Sequence, residues 1–136
     1  MTTVCTTKQF GDACEHYVIS QLGFANIPAQ KMPDCWPGYD LTAQPRMGHL
    51  LRINVKGRRL PSASSACPVD GGAAWDWLAV VLCDSTNKLT RCWMLPRKTA
   101  ISMSTPYGAE LKGQRRLNFS TLRRQCERWE DYYDIR

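Results

Sequence analysis

Four side chains and one backbone group stand out for the chemistry they can share: Glu15, Asp40, Asn54, Lys56 and the carbonyl of Val55. Asp40 offers a charged oxygen, Asn54 a neutral amide oxygen and Val55 a backbone oxygen. A hard cation such as Mg²⁺ or Mn²⁺ takes oxygen ligands of this kind. Beside a phosphodiester, such an ion polarises the phosphoryl oxygen and activates water. The Lys56 ammonium can orient that water or neutralise charge developing on the phosphate. Glu15 can hold a water or a second ion. The chemistry expected of the set is metal-assisted phosphodiester hydrolysis, with Asp40, Asn54 and Val55 as metal ligands.

These residues need a helix and a hairpin to position them. Phe10, Cys14, Tyr17, Val18 and Leu22 recur at helical spacing, which predicts a helix over 8–22 stopped by Gly23. Glu15 lies about 60° around that helix from Val18, at the margin of the apolar stripe. Leu51, Ile53 and Val55 alternate with Arg52, Asn54 and Lys56, the period of a strand over 50–56. Residues 39–43 read as a second strand, and 45–48 as the turn of a hairpin. Asn54 and Lys56, two apart, then face one way, and Asp40 can face the same side.

Farther along, 24–29 reads as a short extended segment and 31–38 as a loop with Pro33, Pro37 and Gly38. Residues 61–72, rich in Ser, Ala, Pro and Gly, read as a mobile loop. The run from Trp75 to Cys83 predicts a central strand, apolar on both faces. Another strand over 89–95 closes at Pro96, and 98–113 is irregular or a short helix. A helix over 119–133 follows, with Ser120 as N-cap and Leu122, Cys126, Trp129 and Tyr133 as its apolar stripe. The order predicts an α/β fold in one domain, 1–136, with a mixed sheet of four to five strands between an N-terminal and a C-terminal helix.

Composition narrows the class further. The net charge of +6 favours polyanionic partners, and basic pairs occur at Arg58-Arg59, Arg97-Lys98, Arg115-Arg116 and Arg123-Arg124. Any one pair, taken alone, is as well read as solvated surface. The seven cysteines form no C-x-x-C pair, so no structural zinc is expected. Cys14, Cys83, Cys92 and Cys126 read as buried reduced thiols. No secretory leader or bilayer-length apolar run is present, so the expected location is cytoplasmic. His16 and His49 read as surface residues. Of the aromatic residues, Trp36 and Tyr39 are the pair placed to stack on a base.

The order of these short motifs resembles the PD-(D/E)XK nucleases, closest to the Holliday-junction-resolvase-like and small homing-endonuclease-like branches. Gly11 to Glu15, Gly38-Tyr39-Asp40-Leu41 and Arg52 to Lys56 match the family's helix glutamate, metal-binding aspartate and metal-ligand-x-Lys strand. The resemblance implies a restriction-endonuclease-like core, Mg²⁺ or Mn²⁺ as cofactor and DNA of branched or duplex form as substrate. It also admits a homodimer. Glu15, Asp40, Asn54 and Lys56 would be catalytic, with phosphates held by Arg58, Arg59, Arg115, Arg116, Arg123 and Arg124. Asn54 departs from the family by standing where Glu, Asp or Gln is usual. A neighbouring acid, Asp34 or Asp76, could supply the missing charge. A catalytically silent member that binds nucleic acid or a protein is therefore a second reading. A basic protein-interaction domain with a Trp-rich surface is a third.

Overall fold

The computed structural model describes residues 5–59, 66–106 and 113–125. Helix α1 spans Thr7–Phe24. Thr6 caps it through a reciprocal box: its hydroxyl accepts from the Gln9 N–H, and the Gln9 side chain accepts from the Thr6 N–H. The helix runs past Gly23, the expected stop. The chain turns instead at Asn26, whose φ of 65° suits one of the few residue types at ease there. Cys14, Val18 and Leu22 form its buried stripe.

Strands β1 (Ala29–Lys31), β2 (Leu41–Ala43), β3 (Leu51–Arg59), β5 (Trp77–Cys83) and β6 (Leu89–Pro96) form a sheet in the order β1-β2-β3-β5-β6. The β2–β3 hairpin pairs Leu41 with Ile53. Strands β3 and β5 run parallel, and the other neighbours are antiparallel. All seven residues of β5 are buried. Trp77, Ala79, Val81 and Cys83 pack with α1, while Leu78, Val80 and Leu82 pack on the opposite side. The middle strand is β3, however; β5 is second from the edge.

The opposite side is covered by a second sheet, β4-β8-β7, and by helices α2 (Arg97–Met103) and α3 (Phe119–Gln125). Its strands are β4 (Ala66–Asp70), β7 (Thr105–Pro106) and β8 (Gln114–Asn118). Residues 66–70 thus belong to a strand and not to the loop expected over 61–72. Ala66, Cys67 and Val69 are buried while Pro68 and Asp70 are exposed. Pro68 is tolerated because β4 is an edge strand. Helix α3 begins at Phe119, so Ser120 lies in its first turn instead of capping it. Cys126, Trp129 and Tyr133 lie outside the described residues. Cys14, Cys67, Cys83 and Cys92 are buried free thiols; burial pushes Cys14 up to about 12 and Cys67 to about 11. Among the described residues, no helix is long and apolar enough to cross a membrane.

Candidate metal centre

Asp40 stands where the β2–β3 ladder ends, and its backbone and side chain are both engaged there. Its N–H donates to the Ile53 carbonyl at 2.9 Å, and its carbonyl accepts from Met32 at 2.8 Å. Its carboxylate accepts from the Val55 N–H at 2.7 Å. The side chain thus replaces a carbonyl in the ladder and rests against β3 at the backbone of Val55. The N–H and C=O of one strand residue point to the same edge. The Val55 carbonyl therefore looks toward Asp40 and away from β5.

Glu15 reaches the same region from α1. It and Asp40 line one cleft of about 320 Å³, together with Lys8, Gly11, Asp12, Lys31, Asp34, Trp36 and Tyr39. Burial raises the Glu15 carboxyl above its usual range, the Asp40 charge adds to this, and Lys31 opposes it. Lys31 Nζ lies 2.9 Å from Asp34, 3.4 Å from Asp12 and 3.9 Å from Glu15. Lys8 pairs with Asp12 at 2.7 Å and with Asp34 at 3.3 Å. The Lys8 hydrogen bond holds Asp12 below the usual carboxylate range, and Lys31 does the same to Asp34. Asp34 is therefore an exposed, lysine-paired loop residue, and Asp40 is the acid fixed to the strand.

Asn54 is 8% exposed, and Lys56 is half-buried. Ile53 and Val55 pack on the α1 side. By strand alternation Asn54 and Lys56 share the opposite face, as expected of residues two apart. The Lys56 and Arg58 charges act on Cys67 of β4. The structure thus brings Glu15 to Asp40, and Asp40 to the backbone of β3. Asn54 and Lys56 do not line the cleft that Glu15 and Asp40 share. Asp76 is engaged elsewhere: its carboxylate accepts from the Arg52 N–H at 2.8 Å and from the Arg52 guanidinium at 3.0 Å.

The basic residues divide. Arg59 lies 4.1 Å over the Phe10 ring and donates to Asn87. Arg58 donates to the Gly57 carbonyl, and Arg115 to the Ser104 hydroxyl and carbonyl. Arg116, Arg123 and Arg124 are exposed.

Lys31 and Asp12 were not singled out from sequence. Lys8, Gly11, Asp12 and Glu15 carried a signal, since their spacing makes a polar stripe beside the apolar one. Lys31 carried none, because its meeting with α1 depends on tertiary packing.

The cleft offers oxygen donors of the kind a hard divalent cation takes. Four carboxylates and two lysines line the cleft, leaving two negative charges uncompensated when all are ionised. Among the described residues, no three of His, Cys, Asp and Glu are grouped to hold a metal. A site at Asp40 would need neutral oxygens, such as the Val55 carbonyl and the Asn54 amide.

No protein-family model matches the chain, and no curated protein matches it. Solved structures do. The bacterial homing endonuclease I-Ssp6803I is similar with a TM-score of 0.54 and 22% identity, over 85% of this chain and 77% of that one. Hjc, a Holliday junction resolvase from the archaeal hyperthermophile Archaeoglobus fulgidus, is similar with a TM-score of 0.52 and 16% identity. That likeness covers 82% of this chain and 85% of the resolvase. The class is therefore a restriction-endonuclease-like α/β fold. The resemblance to PD-(D/E)XK nucleases read from the short motifs holds at the level of architecture.

Proposed function

We propose that the protein is a DNA endonuclease dependent on Mg²⁺ or Mn²⁺, working at Asp40, Asn54, the Val55 carbonyl and Lys56 with Glu15 alongside. The observation that carries this reading is the hydrogen bond from the Val55 N–H to the Asp40 carboxylate, which sets an acid against the Asn54–Lys56 segment. A divalent ion, when bound, supplies Lewis acidity toward the phosphate and a more acidic water. Asp40 and the neutral oxygens of β3 hold that ion. The Lys56 ammonium offsets charge developing on the phosphate. Glu15, with its carboxyl raised by burial and by Asp40, is suited to hold a water or accept its proton.

Incubation with branched, single-stranded and duplex DNA in Mg²⁺ or Mn²⁺ tests this. Metal-dependent cleavage is expected, reduced roughly 100- to 1,000-fold by Lys56→Ala. Cleavage untouched by Lys56→Ala would remove the proposed site. The neutral, largely buried Asn54 favours a second reading, in which the fold binds DNA without cutting. Cleavage that appears only in Asn54→Glu would select it.

A further inference from the structure

We propose that Trp36 and Tyr39 form a stacking subsite for one unpaired DNA base at the cleft of Glu15 and Asp40. The preferred substrate is then DNA with an unpaired nucleotide beside the scissile phosphate, and not continuous duplex. The cleavage part of this inference rests on the nuclease reading above; the binding part does not.

Trp36 differs from the other described tryptophans. Trp75, Trp77 and Trp93 are 1%, 8% and 1% exposed and fill the two cores, whereas Trp36 is 45% exposed. Of the large exposed apolar side chains among the described residues, it is the one that lines this cleft.

The loop that carries it is closed by a turn. The Trp36 N–H donates to the Pro33 carbonyl at 3.1 Å. That turn places Cys35 at φ 64°, in the position where a type II turn ordinarily takes Gly. A non-glycine residue there is held against a steric penalty, a feature that clusters at functional sites. Pro37 and Gly38, with φ 92°, complete the loop. Tyr39 meets Trp36 edge to face, with ring centres 6.1 Å apart and planes at 67°. One aromatic ring therefore supports the other and leaves indole surface open.

The rest of the cleft selects the occupant. Its volume of about 320 Å³ is at the small end of ligand sites. Its four carboxylates outnumber its two lysines and disfavour a bare phosphate but not a neutral base, so the aromatic wall takes the base, while the phosphate would need the divalent ion of the proposed site. A base inside a duplex can reach the indole only after unstacking, which costs a few kcal/mol and least where the base is already unpaired. Base–aromatic stacking tolerates any sequence, because every base has a π-face.

The test is fluorescence anisotropy in Ca²⁺ with three labelled DNAs of matched sequence: single-stranded, duplex with one unpaired base, and continuous duplex. Trp36→Ala, a surface change, should weaken binding of the first two roughly 5- to 150-fold. It should leave continuous duplex unchanged, and Trp36→Phe should retain most of the affinity. Circular dichroism confirms that each variant is folded. Equal losses on all three DNAs, or no loss on any, would overturn the subsite. Discrimination by Trp36 in a protein that never cleaves DNA supports the subsite and removes only the nuclease reading.

Discussion

At Glu15 two effects oppose one another. Burial and then the Asp40 charge raise its carboxyl, while Lys31 at 3.9 Å lowers it. For an acid raised on folding, the native state binds more protons than the unfolded state between the two pKa values. Stability therefore falls as pH rises from about the ordinary 4.5 through the folded value. Glu15→Gln should stabilise the metal-free protein at neutral pH, with the gain vanishing below about pH 4.5. Mn²⁺ should raise the melting temperature of the wild type at neutral pH, and raise that of Asp40→Asn less. Equal shifts in both would place the ion elsewhere. Asp76 has the opposite sign: the Arg52 hydrogen bond lowers its carboxyl, so its contribution is present above the ordinary 3.8 and is lost as pH falls through the folded value. Asp76→Ala should cost about 1–2 kcal/mol in urea unfolding, because it leaves the Arg52 N–H without its acceptor. Residue types and spacing singled out Glu15 and Asp40, which share the cleft, and the Asn54–Lys56 pair, which lies on the face of β3 away from α1 and outside that cleft. The pairs of Lys31 with Asp12 and Glu15 and the Asp76 bridge were not legible, because each joins segments whose distance is set by packing alone.

At the scale of elements, α1 and β3 approach at Gly57. A Cβ there would collide with Cys14 Sγ and come within 3.2 Å of the Phe10 ring. Gly57→Ala should therefore push α1 outward and lower stability by about 1–3 kcal/mol, the range for overpacking. Trimming the sulfur in Gly57→Ala/Cys14→Ala should recover part of that loss in urea titrations. Additive losses would mean that the contact does not set the helix position. Elements with a clean period were readable: α1 at helical spacing, β3 by alternation, β5 and β6 as apolar runs. Strands β4, β7 and β8 were not. Pro68 and Pro106 interrupt the strand signal, and in β8 Leu117 is the lone apolar residue. Their pairing is also remote in sequence, as Cys67 meets Leu117.

For the whole molecule, the net charge of +6 favours polyanions, but not every arginine is available to them. Arg59 and Arg115 are committed to Phe10 and Asn87 and to Ser104, whereas Arg123 and Arg124 are exposed on α3. If the α3 pair holds phosphates, Arg123→Gln/Arg124→Gln should reduce the slope of log affinity against log salt by roughly one per lost contact. Arg115→Gln should instead lower stability and leave that slope alone. An unchanged slope in the α3 variant would assign DNA contact to another surface. The five-stranded sheet with α1 on one side and α3 on the other matches the layered architecture legible from element order.

The central claim is that Asp40 and the backbone of β3 seat a divalent ion. Anomalous scattering from crystals grown in Mn²⁺ measures this directly. A peak about 2.1 Å from both an Asp40 carboxylate oxygen and the Val55 carbonyl is the expected result. Ordered density for Asp40 and Val55 with no peak between them, or a peak bound only by other residues, would contradict it.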